Sequence, residues 1–307
     1  MSRSSPSVPA PGRAAALAGA GFVALSAVGF SAKAIMVKLA YGYTADATTV
    51  LALRMGFSVP FFIGMALWSG RQGQAPLERR DWMAVAGLGM LGYYLASFLD
   101  LLGLQLISAS LERLILFLYP TMVVLLSALF FRQPIGRREV VALALSYGGI
   151  GLVFASDASF RQGGVGPGAL LVFGSALAYA FYLLGSGRVI PRVGAMRFTA
   201  YAMSAACGMS VVQFAVTRPL SALQVSPHVY GLTAAMAVFS TVLPSSLLAI
   251  GIRRIGASRA ALVGTIGPVA TIVLAYFILG EAISALQLLG AALVLAGVLV
   301  VSLKSQK

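Results

Sequence analysis

A chain of 307 residues that is 59% apolar and only 10% charged carries far less charge than the roughly 25% of a soluble domain, which excludes a water-soluble fold. The formal net charge of +14 invites a nucleic-acid reading, but the basic residues lie scattered between apolar runs instead of gathering on one face. The lone cysteine, Cys207, excludes a disulfide framework and a cysteine-based metal site.

A hydrocarbon core of about 30 Å takes about 20 helical residues to cross. Ten such runs follow one another: 17–39, 48–68, 82–103, 108–131, 138–156, 167–187, 196–216, 229–251, 260–279 and 284–303. Short connections make neighbouring spans antiparallel hairpins and leave no room for a soluble domain. Residues 1–16 precede the first span, and Ser2–Gly12 holds three Pro and four Ser; this stretch reads as a disordered cytoplasmic tail. The apolar run beginning at Leu17 continues to Ala40, which favours a first span over a cleaved signal. The expected fold class is an all-α polytopic membrane protein with ten transmembrane helices.

Segment 82–153 lies over 230–301 without a gap, an offset of 148 residues. Ser97 falls on Ser245, Gly103 on Gly251, Pro120 on Pro268 and Gly149 on Gly297, while Ile107-Ser108-Ala109-Ser110 falls on Ile255-Gly256-Ala257-Ser258. The charges at the helix ends are swapped: Arg132, Arg137 and Arg138 follow the Pro120 span, whereas Glu281 follows the Pro268 span. A unit used twice with its basic ends exchanged reads as two inverted five-helix repeats, 17–156 and 167–303. With the N-terminus in the cytoplasm, 16 of the 22 basic residues fall inside and only Arg161 and Arg218 fall in outside loops. The positive-inside rule therefore puts both termini in the cytoplasm.

Motifs that imitate soluble chemistry have simpler readings here. Gly87-Leu-Gly89-Met-Leu-Gly92 fits a dinucleotide fingerprint but lies inside an apolar helix, where small residues let helices approach. Gly148, Gly149 and Gly151, and Gly290 with Gly297, read likewise as contact faces. His228, the only histidine, has no neighbouring ligands, and no Walker A loop exists. No catalytic group, cofactor or metal site is expected, and an integral-membrane enzyme lacks the nucleophile–base cluster it needs.

The paired units resemble the drug/metabolite transporter superfamily, specifically its ten-helix EamA type. The resemblance rests on Leu53-Arg54-Met55 with its counterpart Met196-Arg197-Phe198, on Ser108-Ala109-Ser110 through Leu118-Tyr119-Pro120, on Gly256-Ala257-Ser258 through Gly267-Pro268, and on Leu279-Gly280-Glu281. It spans nearly the whole chain. It implies a secondary, non-ATP transporter that exports or exchanges small metabolites. Where the family often carries Gly-Glu after its fourth helix, this chain has Arg132-Gln133.

Ionisable residues within spans are costly, so they pair or line water-filled cavities. Lys33, Lys38, Arg54, Asp100, Glu112 and Arg113 all fall in the first unit and in the outer half of the bilayer. Their second-unit equivalents are apolar where the alignment is clean: Asp100 falls on Leu248, Glu112 on Ala260 and Arg113 on Ala261. Lys38 is read as snorkelling to the surface. Arg54 either pairs with Asp100 or Glu112 or meets a solute. Glu112 suits the start of its helix and Arg113 reaches headgroups. Lys33, sharing a stripe with Ser26, Gly29 and Phe30, either pairs or lines a cavity.

Polar stripes supply a candidate wall. Ser175, Tyr179, Tyr182 and Ser186 share one helical face; Tyr93, Ser97 and Asp100 share another; Glu112 and Tyr119 share a third. Ser240, Thr241 and Ser245 surround Pro244. The candidate substrate path is therefore Lys33, Arg54, Tyr93, Ser97, Asp100, Glu112, Tyr119, Tyr179, Tyr182 and Ser245. Four cations against two carboxylates favour an anionic or zwitterionic solute such as an amino acid. The expected partners are that small molecule and the bilayer, with no nucleic acid, as monomer or homodimer in the cell (inner) membrane. The competing class is a membrane protein acting on lipids or as structure, without metabolite flux.

Overall fold

The computed structural model describes residues 13–43, 45–70, 76–156, 165–255, 260 and 263–302; most of the expected N-terminal tail lies outside them. The described chain is a bundle of α-helices: α1 (Arg13–Tyr41), α2 (Ala47–Gly70), α3 (Arg79–Leu104), α4 (Ala109–Phe131), α5 (Arg137–Ser156), α6 (Val165–Val193), α7 (Ala195–Thr217), α8 (227–255), α9 (Ile266–Leu279) and α10 (Ala285–Ser302). Among the described residues seven helices are long and apolar enough to cross a membrane, namely α1 to α4, α6, α7 and Pro227–Leu248 of α8. Ile266–Leu279 and Ala285–Val300 are shorter apolar helices. Large apolar side chains such as Leu129, Val216 and Phe277 stand exposed on the outer faces, which suits a lipid environment and no aqueous one.

Local breaks follow the chemistry of the chain. The first part of α4 ends at Leu116, four residues before Pro120, whose missing N–H and bulky ring oppose continuation there. The helix restarts at Tyr119 with Pro120 in its first turn. In α9 the helix begins at Ile266 with Pro268 two residues on, so a proline 148 residues after Pro120 again falls in the first turn. Wide π-type turns occupy Met90–Leu95 in α3 and Val238–Val242 in α8, again at matching positions. Arg132 ends α4 in the left-handed region, at φ 51°, and Gly280 ends α9 at φ 67°. Gly280 holds that geometry without the Cβ strain that Arg132 carries.

Helix α5 packs along α10, α2 along α7, α1 along α8 and α3 along α6. Small residues decide these approaches. A methyl group placed on Gly149 would lie 2.6 Å from the Gly290 carbonyl oxygen, and one on Gly290 would lie 2.6 Å from that of Gly149. The α1–α8 and α3–α6 contacts use the same parts. A methyl group on Gly103 would meet the Gly168 carbonyl oxygen at 2.8 Å, and one on Gly251 would meet that of Gly19 at 3.1 Å. Ser175 Oγ donates to the Ala96 carbonyl at 2.7 Å, and Ser26 Oγ donates to the Pro244 carbonyl at 2.8 Å. Within the dinucleotide-like run, Gly89 abuts the Ala202 backbone and Gly92 the Tyr182 ring, while Gly87 faces open space. That run is a helix contact.

Ion pairs and rings between helix ends tie the halves together. Asp46 caps α2, accepting from Thr48 N at 2.9 Å and Thr49 Oγ1 at 2.6 Å, and pairs with Arg218 at 3.2 Å beyond the end of α7. Tyr43 stacks on His228 with ring centroids 5.0 Å apart. Asp81 pairs with Arg192 at 2.9 Å. Burial alone would raise the Asp46 carboxyl, but the Thr49 hydrogen bonds and Arg218 outweigh it and hold it below the ordinary carboxylate value.

Candidate functional site

Helix α1 carries Lys33 into the bundle, where its Nζ lies 2.5 Å from Asp100 Oδ2 of α3 and 3.5 Å from Glu112 Oε1 of α4. The Glu112 side chain is fully buried and that of Asp100 nearly so, while Lys33 keeps 17% of its side-chain surface. One ammonium thus faces two carboxylates at a depth where either acid alone would be costly. Arg54 of α2 is also buried and lies in the field of Asp100, with Cys207 and Tyr41 beyond. Asp100 Oδ1, both Glu112 oxygens and Arg54 Nε lack a hydrogen-bond partner. The cluster holds its charges but leaves hydrogen-bonding capacity unused.

Beside it stands a wall of four tyrosines from three helices. Tyr93 and Tyr182 share a hydroxyl–hydroxyl bond of 2.8 Å. The Tyr182 and Tyr179 rings stack at 5.5 Å, and Tyr119 meets Tyr179 edge-on at 5.2 Å. Ser97 lies one turn from Asp100 on α3, half-buried. Ser245 donates to the Thr241 carbonyl within its own helix. The structure thus brings eight of the ten sequence-derived candidates into two adjoining groups, charged and aromatic; Ser97 flanks Asp100 and Ser245 bonds locally.

One expectation changes, and two gain partners. Arg113 does not reach for headgroups: a methyl group on Gly267 of α9 would lie 2.9 Å from its Nη2, so the guanidinium lies against α9, and its Nε is buried without a partner. Glu112 stands in the first turn of α4, as expected, with its side chain facing Lys33. The N–H groups of that turn are capped by Ser108, which accepts from Leu111 N at 3.1 Å, and by Glu281, which accepts from Ala109 N at 2.7 Å and Ser110 N at 3.1 Å and also accepts from Ser110 Oγ at 2.7 Å. Lys38 is half-buried, with Glu281 and Glu112 as its charged neighbours. Helical spacing could have shown that consecutive residues 112 and 113 point about 100° apart; no local signal joins Glu281 to a helix 171 residues away.

Among the described residues, no group of three or more His, Cys, Asp or Glu side chains could hold a metal ion. A cleft of about 490 Å³ between α2, α3 and α7 is lined by Ile63, Leu67, Trp82, Val85, Tyr201 and Ser204, among others. None of the charged cluster lines it, and Ile63, Leu67 and Trp82 on its rim are exposed.

Fold and site together define a polytopic helical membrane protein with a buried ionic centre. The sequence profile of the EamA-like transporter family matches residues 17–155 and again 166–303, and the chain belongs to that family. It is 32% identical over 282 residues to the uncharacterized transporter YcbK of Bacillus subtilis (strain 168), covering 90% of this chain and 89% of the relative. It is 25% identical over 270 residues to the uncharacterized transporter YyaM of the same organism, covering 87% and 88%. A solved crystal structure matches with a TM-score of 0.62 over 95% of this chain and 98% of its own, at 20% identity, a likeness of fold alone.

Proposed function

We propose that this protein is a secondary transporter that exports or exchanges a small zwitterionic or amphipathic metabolite, amino-acid-like in its charges. In this reading ten spans form two inverted five-helix repeats, 17–156 and 167–303, which rock about a central path with both termini in the cytoplasm. The observation that carries it is the buried Lys33–Asp100–Glu112 cluster beside the tyrosine wall. The second half replaces both acids with Leu248 and Ala260. A scaffold role shared by both halves would have kept the acids in both, so the asymmetry marks a task specific to one side of the path. The paired α1–α8 and α3–α6 contacts support two equivalent units exchanged by a twofold relation.

Purified protein in proteoliposomes loaded with unlabelled amino acids should accumulate the matching labelled one by counterflow, and Lys33→Ala should abolish that uptake. Absence of counterflow for every small metabolite tried, with folded protein in the vesicles, would favour the lipid-handling or structural alternative.

A further inference from the structure

Consecutive residues on α4 send opposite charges to different sides. Glu112 turns toward Lys33 and Asp100, while Arg113 turns toward Gly267 on α9, with Tyr119 and Tyr179 within range of its charge. The position is tight: a methyl group on Gly267 would stand 2.9 Å from Arg113 Nη2 and 3.7 Å from Ser31 Oγ. Ser31 Oγ lies 2.8 Å from the Gly267 carbonyl and 2.7 Å from that of Ala27, so its proton is engaged there. Gly267 thereby makes room for the guanidinium.

Two kinds of unfilled hydrogen-bonding capacity flank this point. Arg113 Nε is a buried donor without an acceptor; Asp100 Oδ1 and Glu112 Oε2 are buried acceptors without a hydrogen-bond donor, and Glu112 Oε1 meets only the Lys33 ammonium, at 3.5 Å. Buried polar atoms left unpaired are rare in folded chains and call for a reason. A guanidinium is always charged and forms a planar fork matched to a carboxylate, while a carboxylate pair with spare lone pairs matches an ammonium. The unfilled donor and acceptors are complementary to a single molecule bearing both charges, and the Tyr119 and Tyr179 rings, within range of the Arg113 charge, offer its apolar part a surface.

We propose that Arg113 is the anion anchor of the substrate path: its guanidinium takes the carboxylate of a zwitterionic α-amino acid whose ammonium joins that of Lys33 at the Asp100–Glu112 pair, two cations facing two carboxylates. This rests on the transporter reading and adds to it the residue that sets the solute's charge requirement. The second half, with Ala261 at the equivalent position, supplies no such anchor, so the solute binds in one orientation. Loss of a charge-assisted hydrogen bond corresponds to about tenfold or more in affinity.

The test uses the full chain in detergent, with binding read by thermal shift against the twenty common amino acids, their carboxamides and their N-acetyl derivatives. At least one zwitterion should raise the Tm of the wild type, with its carboxamide and its N-acetyl form each binding about tenfold more weakly or worse. Arg113→Gln should erase the preference for the zwitterion over the carboxamide, and Arg113→Lys should restore part of it. A carboxamide that binds wild type as tightly as its parent acid overturns the proposal, whether or not any variant folds. Zwitterion binding unchanged in a folded Arg113→Gln variant overturns it also, as does failure of all twenty amino acids to bind. Counterflow judges the transporter reading separately: flux of another solute with no zwitterion binding sinks the anchor and leaves transport standing.

Discussion

Glu281, from the turn after α9, accepts a 2.7 Å hydrogen bond from Ser110 Oγ at the start of α4, joining chain halves 171 residues apart. The same carboxylate takes the Ala109 and Ser110 N–H groups, which no carbonyl within α4 can reach because they lie in its first turn. Glu281→Ala should therefore cost about 1–2 kcal/mol, read as a lower melting temperature of the purified protein. Glu281→Gln keeps an acceptor and should lose less. An unchanged Tm for both variants would mean that the cap contributes nothing to stability.

The Lys33 cluster predicts a different pattern. Removing Lys33 strands two buried carboxylates, and breaking a buried pair from one side costs about 3–5 kcal/mol. Lys33→Ala should thus lower both stability and flux. Glu112→Gln leaves the closer Lys33–Asp100 pair at 2.5 Å intact, so stability should fall less while flux still falls. Combining Lys33→Met with Asp100→Asn should recover much of the stability lost by Lys33→Met alone, without recovering flux. Equal stability across single and double variants would show that these charges do not interact.

How much of this could be read from the chain differs by level. The spans follow from apolar run lengths, and the 148-residue offset follows from Ser, Gly and Pro matches that apolar composition cannot imitate. That offset returns in the structure at Gly103 and Gly251, Ala96 and Pro244, and the two π-type turns. Lys33, Asp100 and Glu112 stood out because charge within a span is costly. Arg113 was misread because its place near the helix start implied the interface, whereas helix phase turns it inward against a glycine that leaves it space. Glu281 was invisible as a partner because its contact joins distant segments, and sequence periodicity reports only local neighbours.

Asp46 supplies a pH dependence at the rim of the bundle. Its folded-state acidity is strengthened, chiefly by Thr49 and Arg218 acting against burial. A carboxyl with a depressed folded value adds stability above the unfolded value, about 3.9, and that contribution drains away as pH falls through the folded value. Asp46→Asn should lower Tm at pH 7, and the gap from wild type should shrink progressively below about pH 4. High salt should narrow the gap at pH 7 by screening the exposed Arg218 partner. A gap that stays constant between pH 7 and pH 3 would assign the effect to lost packing instead of charge.

The last prediction concerns orientation. Three contacts join separate loops or helix ends: Asp46 with Arg218, Tyr43 with His228, and Glu281 with Ser110. In the proposed topology every one of these ends faces outside. Asp81 and Arg192, which pair with each other, both lie at helix ends that face inside. An odd error in the span count between any two partners would set them on opposite faces of a membrane about 30 Å thick, where a contact of this kind is impossible. Single cysteines replacing Gln105, Ser221 and Ala282, in a background with Cys207 replaced by Ser, should react with an impermeant thiol reagent in intact cells. Cysteines replacing Pro76, Pro134 and Ala195 should react only after the membrane is opened. Labelling of Ala195→Cys from outside, or of Ala282→Cys only from inside, would break the alternation and with it the inverted relation of the two halves.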